Sequence, residues 1–210
     1  MRFAHLSDSH LGSRQFGLLE RETDFYDVFA RNIDKIIEKD VDFVCDPTML
    51  LTADEWTQAV KPKTYKQKYV LVYFTDNSGK IFEDAKAYAQ REGLEVYFIS
   101  SALKPTKGVK NVNPASLAEF LGLIQNAAFV FTASYHGMLF SMYFRKDFVF
   151  YTRAHSARVI SLAEHLGLSD RCANEMTVED FTPIDYTLID DQIIAFREKS
   201  VAILKEMLEQ

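Results

Sequence analysis

Short runs of β-forming residues alternate with amphipathic helical stretches along nearly all of this 210-residue chain, and that alternation constrains its fold more than any other feature. Arg2-Phe-Ala-His-Leu6 reads as a first strand, and residues 20–39 read as a helix with Phe25, Phe29, Ile33, Ile36 and Ile37 on one face. Val41-Asp-Phe-Val44 is the next strand. A short helix over 50–60 has Thr52 as N-cap and Glu55 three positions on, the spacing of a capping box, and Pro62 forces a break after it. Tyr69-Val-Leu-Val-Tyr-Phe74 is the strongest buried-strand candidate. Asp76-Asn-Ser-Gly79 turns the chain into a helix over 80–91, which Gly93 stops. Strand Glu95-Val-Tyr-Phe-Ile99 leads into a loop from 103 to 113, and a helix beginning near Pro114 carries Leu117, Phe120, Leu121 and Ile124 on its apolar side. Two further strands, Ala128-Phe-Val-Phe131 and Asp147-Phe-Val-Phe-Tyr151, flank a helical Met138-Leu-Phe-Ser-Met-Tyr-Phe144, with helices near 159–166 and 190–208 to follow. Repeated strand–helix alternation predicts an α/β fold: a Rossmann-like parallel sheet with helices on both faces.

That fold fixes where a site belongs. In an open parallel sheet, ligands bind at the carboxyl edge of the strands. Thr132-Ala-Ser-Tyr-His136-Gly137 lies at a strand-to-helix turn on that edge, where the positive helix end favours an anion. The next strand is followed by Arg153-Ala-His155-Ser156-Ala-Arg158, whose guanidinium groups would share the same crevice. One imidazole with one or two arginines suits a small phosphorylated or carboxylated substrate. The plainer use of His136 is to sit in a turn and cap a helix. Arg158 at a helix start opposes the helix dipole, so an anionic partner would explain it better than solvation alone. Arg153 is a secondary anion-binding candidate. Lys104, Lys107 and Lys110 are solvated loop lysines or the rim of a positive mouth, and Trp56 is a packing residue.

A net charge of −6 argues against broad nucleic-acid binding. Cys45 and Cys172 are far apart and fit no metal or redox spacing, as expected of thiols in a reducing compartment. No stretch approaches membrane-spanning length, and the first residues lack the long apolar run of a signal peptide, so the expected location is the cytoplasm.

Three pieces downstream of Cys45, in this order, resemble the C-terminal half of the polysaccharide pyruvyl transferase family. They are Asp46-Pro-Thr-Met-Leu-Leu-Thr-Ala-Asp-Glu-Trp56, Thr132-Ala-Ser-Tyr-His-Gly137 with Phe140-Ser141 behind it, and Ser156-Ala-Arg158 ahead of Leu166-Gly-Leu-Ser-Asp-Arg171. The resemblance implies one domain of a two-domain, GT-B-type glycosyltransferase architecture. It implies transfer of a pyruvyl ketal from phosphoenolpyruvate to a saccharide hydroxyl, with no cofactor or metal required. His136 would be the catalytic residue, with Arg158, Ser134, Gly137, Ser156 and Arg153 binding substrate. Some members carry an arginine where this chain has Ser134. The acceptor-binding half is expected to be absent, so donor binding is a firmer expectation than turnover. Apolar surface left exposed by that absence would suit a homodimer.

Residues 1–44 are similar to something else. Met1-Arg-Phe-Ala-His-Leu-Ser-Asp8-Ser-His10-Leu-Gly12 resembles the start of the double-strand-break repair nucleases of the calcineurin-like metallophosphoesterase family. There an Asp-x-His pair ligates one of two metals, usually manganese, so Asp8 and His10 are the metal-ligand candidates here, as vestiges. That family's next motif, Gly-Asp, is replaced by Cys45-Asp-Pro-Thr, and a two-metal site needs ligands from several loops. The resulting division is a nuclease-like βαβ opening over 1–44 and a transferase-like domain over 45–210, folded as one continuous unit and joined at Val44/Cys45 as in a recombined or engineered chain. The alternatives are a metal-dependent phosphoesterase or nuclease fragment with an incomplete site, and a non-catalytic α/β domain.

Overall fold

The computed structural model describes residues 44–74, 79–99, 105–114, 116–152 and 156–209. The expected strand at 2–6, the helix over 20–39 and residues 41–43 of the expected strand 41–44 lie outside them, and Val44 is not in a strand. The described residues fall in two compact units, one of them Leu51–Ile194 and the other containing 44–50 and 195–209.

The larger unit is built on a five-stranded sheet. In chain order its elements are α1 (Ala53–Val60), β1 (Tyr69–Tyr73), α2 (Gly79–Glu92), β2 (Glu95–Ile99), β3 (Lys110–Val112), α3 (Leu117–Asn126), β4 (Phe129–Thr132), α4 (Tyr135–Tyr143), β5 (Asp147–Phe150) and α5 (Ala157–His165), followed by the first residues of α6 (Tyr186–Glu209). The strands run in the order β3-β2-β1-β4-β5 and every pairing is parallel. The order reverses between β1 and β4, with Tyr73 opposite Thr132 at the carboxyl end of that pair.

Alternate side chains of each strand feed opposite layers. On one face Val70, Val72, Phe74, Val96, Phe98, Phe129, Phe131 and Val149 form a core with Ile81, Phe82, Ala85 and Ala89 of α2. Each fully buried Val, Ile or Phe among them contributes about 1.5–3 kcal/mol relative to exposure. On the other face Tyr69 donates to the Leu123 carbonyl of α3 at 2.7 Å, and the Tyr73 ring meets Phe120 edge-on. Helices therefore cover both faces, as a run of strands without polar alternation requires.

The capping box at Thr52 forms in full: the Thr52 hydroxyl accepts from the Glu55 N–H at 3.1 Å and the Glu55 carboxylate accepts from the Thr52 N–H at 2.7 Å. Gly93 ends α2 at φ +66°, a left-handed conformation that glycine adopts without steric cost. Three expectations need correction. Residues 110–112 are an edge strand rather than loop, and Lys110 caps the Tyr97 ring, its ammonium 4.4 Å from the ring centre and 2.7 Å from the phenol oxygen. Pro114 precedes α3 instead of opening it; Ser116 is the N-cap, accepting from the Glu119 N–H. Leu117, expected on the apolar side of α3, is 47% exposed.

In the second unit, the Cys45 N–H donates to the Ser200 hydroxyl at 2.9 Å, and that hydroxyl donates to the Phe196 carbonyl. Burial pushes the Cys45 thiol above its ordinary range. Among the described residues no helix is long and apolar enough to cross a membrane.

Burial also holds the phenols of Tyr69, Tyr151 and Tyr186 neutral, well above their usual range. Unfolded tyrosines ionise near pH 10, so the unfolded state gains by losing protons there while the folded state does not. Stability from these groups is fully present below about pH 10 and is lost as pH rises further. Denaturant melts should show a flat alkaline plateau to that pH and a fall beyond it. Ultraviolet titration should show three phenols ionising only as the fold is lost, and their reversible ionisation in the intact fold would contradict the packing.

Candidate functional site

The carboxyl ends of β1 and β4 are tied together at the point where the strand order reverses. The Thr132 hydroxyl donates to the Tyr73 carbonyl at 2.8 Å, and the same carbonyl accepts the Ala133 N–H at 3.3 Å. Thr132 Oγ1 in turn accepts the Ser134 N–H at 3.1 Å. One fully buried threonine thus fixes the exit of β4 and turns the chain into α4.

Ser134 is the N-cap of α4, its hydroxyl accepting the Gly137 N–H over a long 3.5 Å. Tyr135 and His136 are the first two helical residues, so the histidine stands in the opening turn at the carboxyl edge, as its sequence context predicts. Gly137 is buried against the strand ends: a Cβ there would lie 2.2 Å from Thr132 Oγ1 and 2.9 Å from Tyr73 Cδ1. Only a residue without a side chain lets the helix come this close. Behind it Met138, Leu139, Phe140 and Met142 are buried, Ser141 donates back to the Gly137 carbonyl at 2.7 Å, and Trp56 packs edge-on against Phe140. The opening turn is therefore braced from beneath, while Ser134, Tyr135 and His136 are only half-buried.

Arg158, the last residue of the second polar segment, reaches the same place. Arg158 lies in the first turn of α5, and its guanidinium carbon is 4.5 Å from the centre of the Tyr135 ring. That ring meets the His136 imidazole edge-on, centroids 5.4 Å apart at 89°. Tyr135 is thus a shared neighbour of the two side chains that the sequence singles out. It was not itself a candidate, because no local pattern marks a tyrosine whose partner lies on another helix. Ser156 precedes α5 and does not cap it with its side chain. Arg153, Asp8 and His10 lie outside the described residues. Among the described residues, no three His, Cys, Asp or Glu side chains cluster as metal ligands would.

The exit of β5 has its own brace, also unmarked in the sequence apart from an i, i+4 pair. The Tyr151 phenol and the Lys80 ammonium both donate to Asp84, at 2.6 and 2.5 Å, and Lys80 also donates to the Met176 carbonyl. Asn174 pairs with the Thr152 backbone in both directions. Arg171 is a buried clamp: its two terminal nitrogens donate to the carbonyls of Thr182 and Pro183.

A parallel sheet of this order, with a histidine turn and an arginine at the carboxyl edge, defines an α/β protein of the Rossmann-like class. The profile of the family described as polysaccharide pyruvyl transferase matches residues 21–155, and this chain belongs to that family. The matched span contains Thr132, Ser134, His136 and Gly137; it begins upstream of the Val44/Cys45 boundary and ends before Ser156 and Arg158. Short matches also link the chain to a protein named DNA double-strand break repair protein Mre11. The chain is 57% identical over 44 residues to the one from Methanococcus maripaludis and 46% identical over 44 residues to the one from Saccharolobus solfataricus. Each match covers 21% of this chain and 12% of the relative, so the chain spans a small fraction of the curated relatives it matches. No solved structure matches the chain.

The Gly137 contact has a measurable consequence. Gly137→Ala must push α4 away from Thr132 and Tyr73 and should cost about 1–3 kcal/mol in urea unfolding. Gly79→Ala, whose Cβ would meet nothing within 4 Å, is the matched control and should change stability little. Equal effects of the two would contradict the packing at the strand ends.

Proposed function

We propose that the carboxyl edge of this sheet binds phosphoenolpyruvate as the donor for pyruvyl transfer to a saccharide hydroxyl. One observation carries the reading: Arg158 is stacked on Tyr135, itself against His136, beside the opening turn of α4, in a chain of the pyruvyl transferase family. Phosphoenolpyruvate carries a carboxylate and a phosphate on one small carbon frame. A guanidinium matches either group through paired N–H donors, and a helix amino end favours the other.

In this chemistry the methylene carbon of the donor takes a proton and becomes a methyl group. The central carbon, left oxocarbenium-like, is captured by a sugar hydroxyl, and the phosphate leaves with its C–O bonding pair as a second hydroxyl closes the ketal. His136 serves as the acid that delivers the proton or as a donor holding the phosphate, roles open to an imidazole near neutral pH. Arg158 clamps the carboxylate or phosphate. Ser134 and Gly137 shape the turn, and Ser156 and Arg153 extend the anion site from the β5–α5 connection. The reading requires no metal. A GT-B-type arrangement would bring the acceptor sugar from an opposing domain.

The short likeness to repair nucleases supports a second reading of the opening residues alone, in which Asp8 and His10 hold a divalent ion such as manganese. The two ligands are too few for the two-metal clamp that phosphodiester cleavage uses, so the transferase reading leads.

Titration of the whole chain with phosphoenolpyruvate, followed by calorimetry and NMR, tests the proposal. The expected result is saturable binding with resonance shifts at residues 134–137 and 156–158. His136→Ala should weaken binding roughly ten- to a hundred-fold, the worth of a hydrogen bond to a charged group at about 1.5–3 kcal/mol. Unchanged affinity in that variant, or shifts confined to other parts of the sheet, would refute it.

A further inference from the structure

We propose that Tyr135 is a positioning residue, whose ring holds the Arg158 guanidinium at a fixed distance from His136 so that both groups meet one anion. The inference rests on the donor site described above and adds to it a residue that touches neither substrate nor reacting atoms.

Arg158 hangs from a helix that starts 22 residues after α4 does and is exposed. Left to itself, such a side chain samples many rotamers, and clamping an anion would cost it that freedom. In the structure its guanidinium lies over the Tyr135 ring at 4.5 Å, within the range of a cation–π contact. A guanidinium held over a ring by its charge still has five N–H donors, so the ring contact and an anion can engage the same group together. The tyrosine is itself held: it follows the N-cap Ser134, and its helix is pinned by the Gly137 approach to Thr132 and Tyr73. Its ring is also perpendicular to the imidazole of His136. One aromatic ring therefore contacts both an arginine on α5 and a histidine on α4. The negative ring face also offsets the unfavourable placement of a cation in the first turn of α5.

The test is a double-mutant cycle in the full chain, read with inorganic phosphate and with phosphoenolpyruvate as separate probes. Tyr135→Leu should weaken phosphate binding roughly five-fold, the range of an exposed cation–π contact, and Tyr135→Phe, which keeps the ring face, should return it. In an Arg158→Ala background, Tyr135→Leu should have no further effect. Equal losses with and without Arg158, or no loss at all, would overturn the proposal. The two probes separate it from the donor reading. Coupling intact for phosphate, with phosphoenolpyruvate bound no more tightly, sinks the donor and leaves the positioning role. Tight phosphoenolpyruvate binding with additive losses does the reverse, and a wild-type chain that binds neither anion sinks both. Should Tyr135→Leu not fold, ring-current shifts on the Arg158 side-chain resonances of the wild-type chain read the stack directly; ordinary shifts there would overturn it.

Discussion

The site depends on one close approach, the first turn of α4 against the carboxyl ends of β1 and β4. Thr132 makes it possible by using its hydroxyl twice, donating to the Tyr73 carbonyl and accepting the Ser134 N–H, so that these groups at the strand exit are paired within the protein. Gly137 makes it necessary, because nothing larger fits between the helix and these strands. The buried side chains of α4 then hold the helix from behind. A half-buried histidine is presented by a helical turn braced from beneath, the arrangement that keeps a functional group within reach of its geometry.

Topology adds what local packing does not supply. The strand order reverses between β1 and β4, and in an open parallel sheet such a reversal is where ligands bind at the carboxyl ends of the strands. Arg158, in the first turn of α5, lies over the Tyr135 ring beside the opening turn of α4. The Tyr151–Asp84–Lys80 brace and the Asn174–Thr152 pairing anchor the residues from which the β5–α5 connection starts. Membership of the pyruvyl transferase family gives these features a common purpose in the proposed donor site.

Much of the fold was legible from residues alone, for physical reasons that can be named. Tyr69–Tyr73 and Glu95–Ile99 are continuous apolar runs of strand length, and a buried parallel strand has no other signature. Thr52 with Glu55, and Gly93 after α2, are local chemistry and need no knowledge of the rest of the molecule. The strand at 110–112 was hidden because three residues of mixed polarity at a sheet edge carry no periodicity. Lys110 is exposed, as a solvated lysine would be, and its contact with Tyr97 on the neighbouring strand leaves no mark in the local sequence. His136 and Arg158 could be nominated from their places after strands, but the tyrosine between them could not. Its role exists only once α4 and α5 are side by side, and no sequence spacing encodes that contact.

The central claim is that one anionic metabolite sits between the histidine turn and the arginine of the next helix. A crystal structure of the chain grown with phosphoenolpyruvate tests it most directly. The account predicts density at the carboxyl ends of β1 and β4, with the His136 imidazole and the Arg158 guanidinium both within hydrogen-bond distance of the ligand's carboxylate or phosphate. Ligand seated instead in the polar groove along α2, among Lys80, Arg91 and Asn174, with the Tyr135 neighbourhood unchanged, would contradict it.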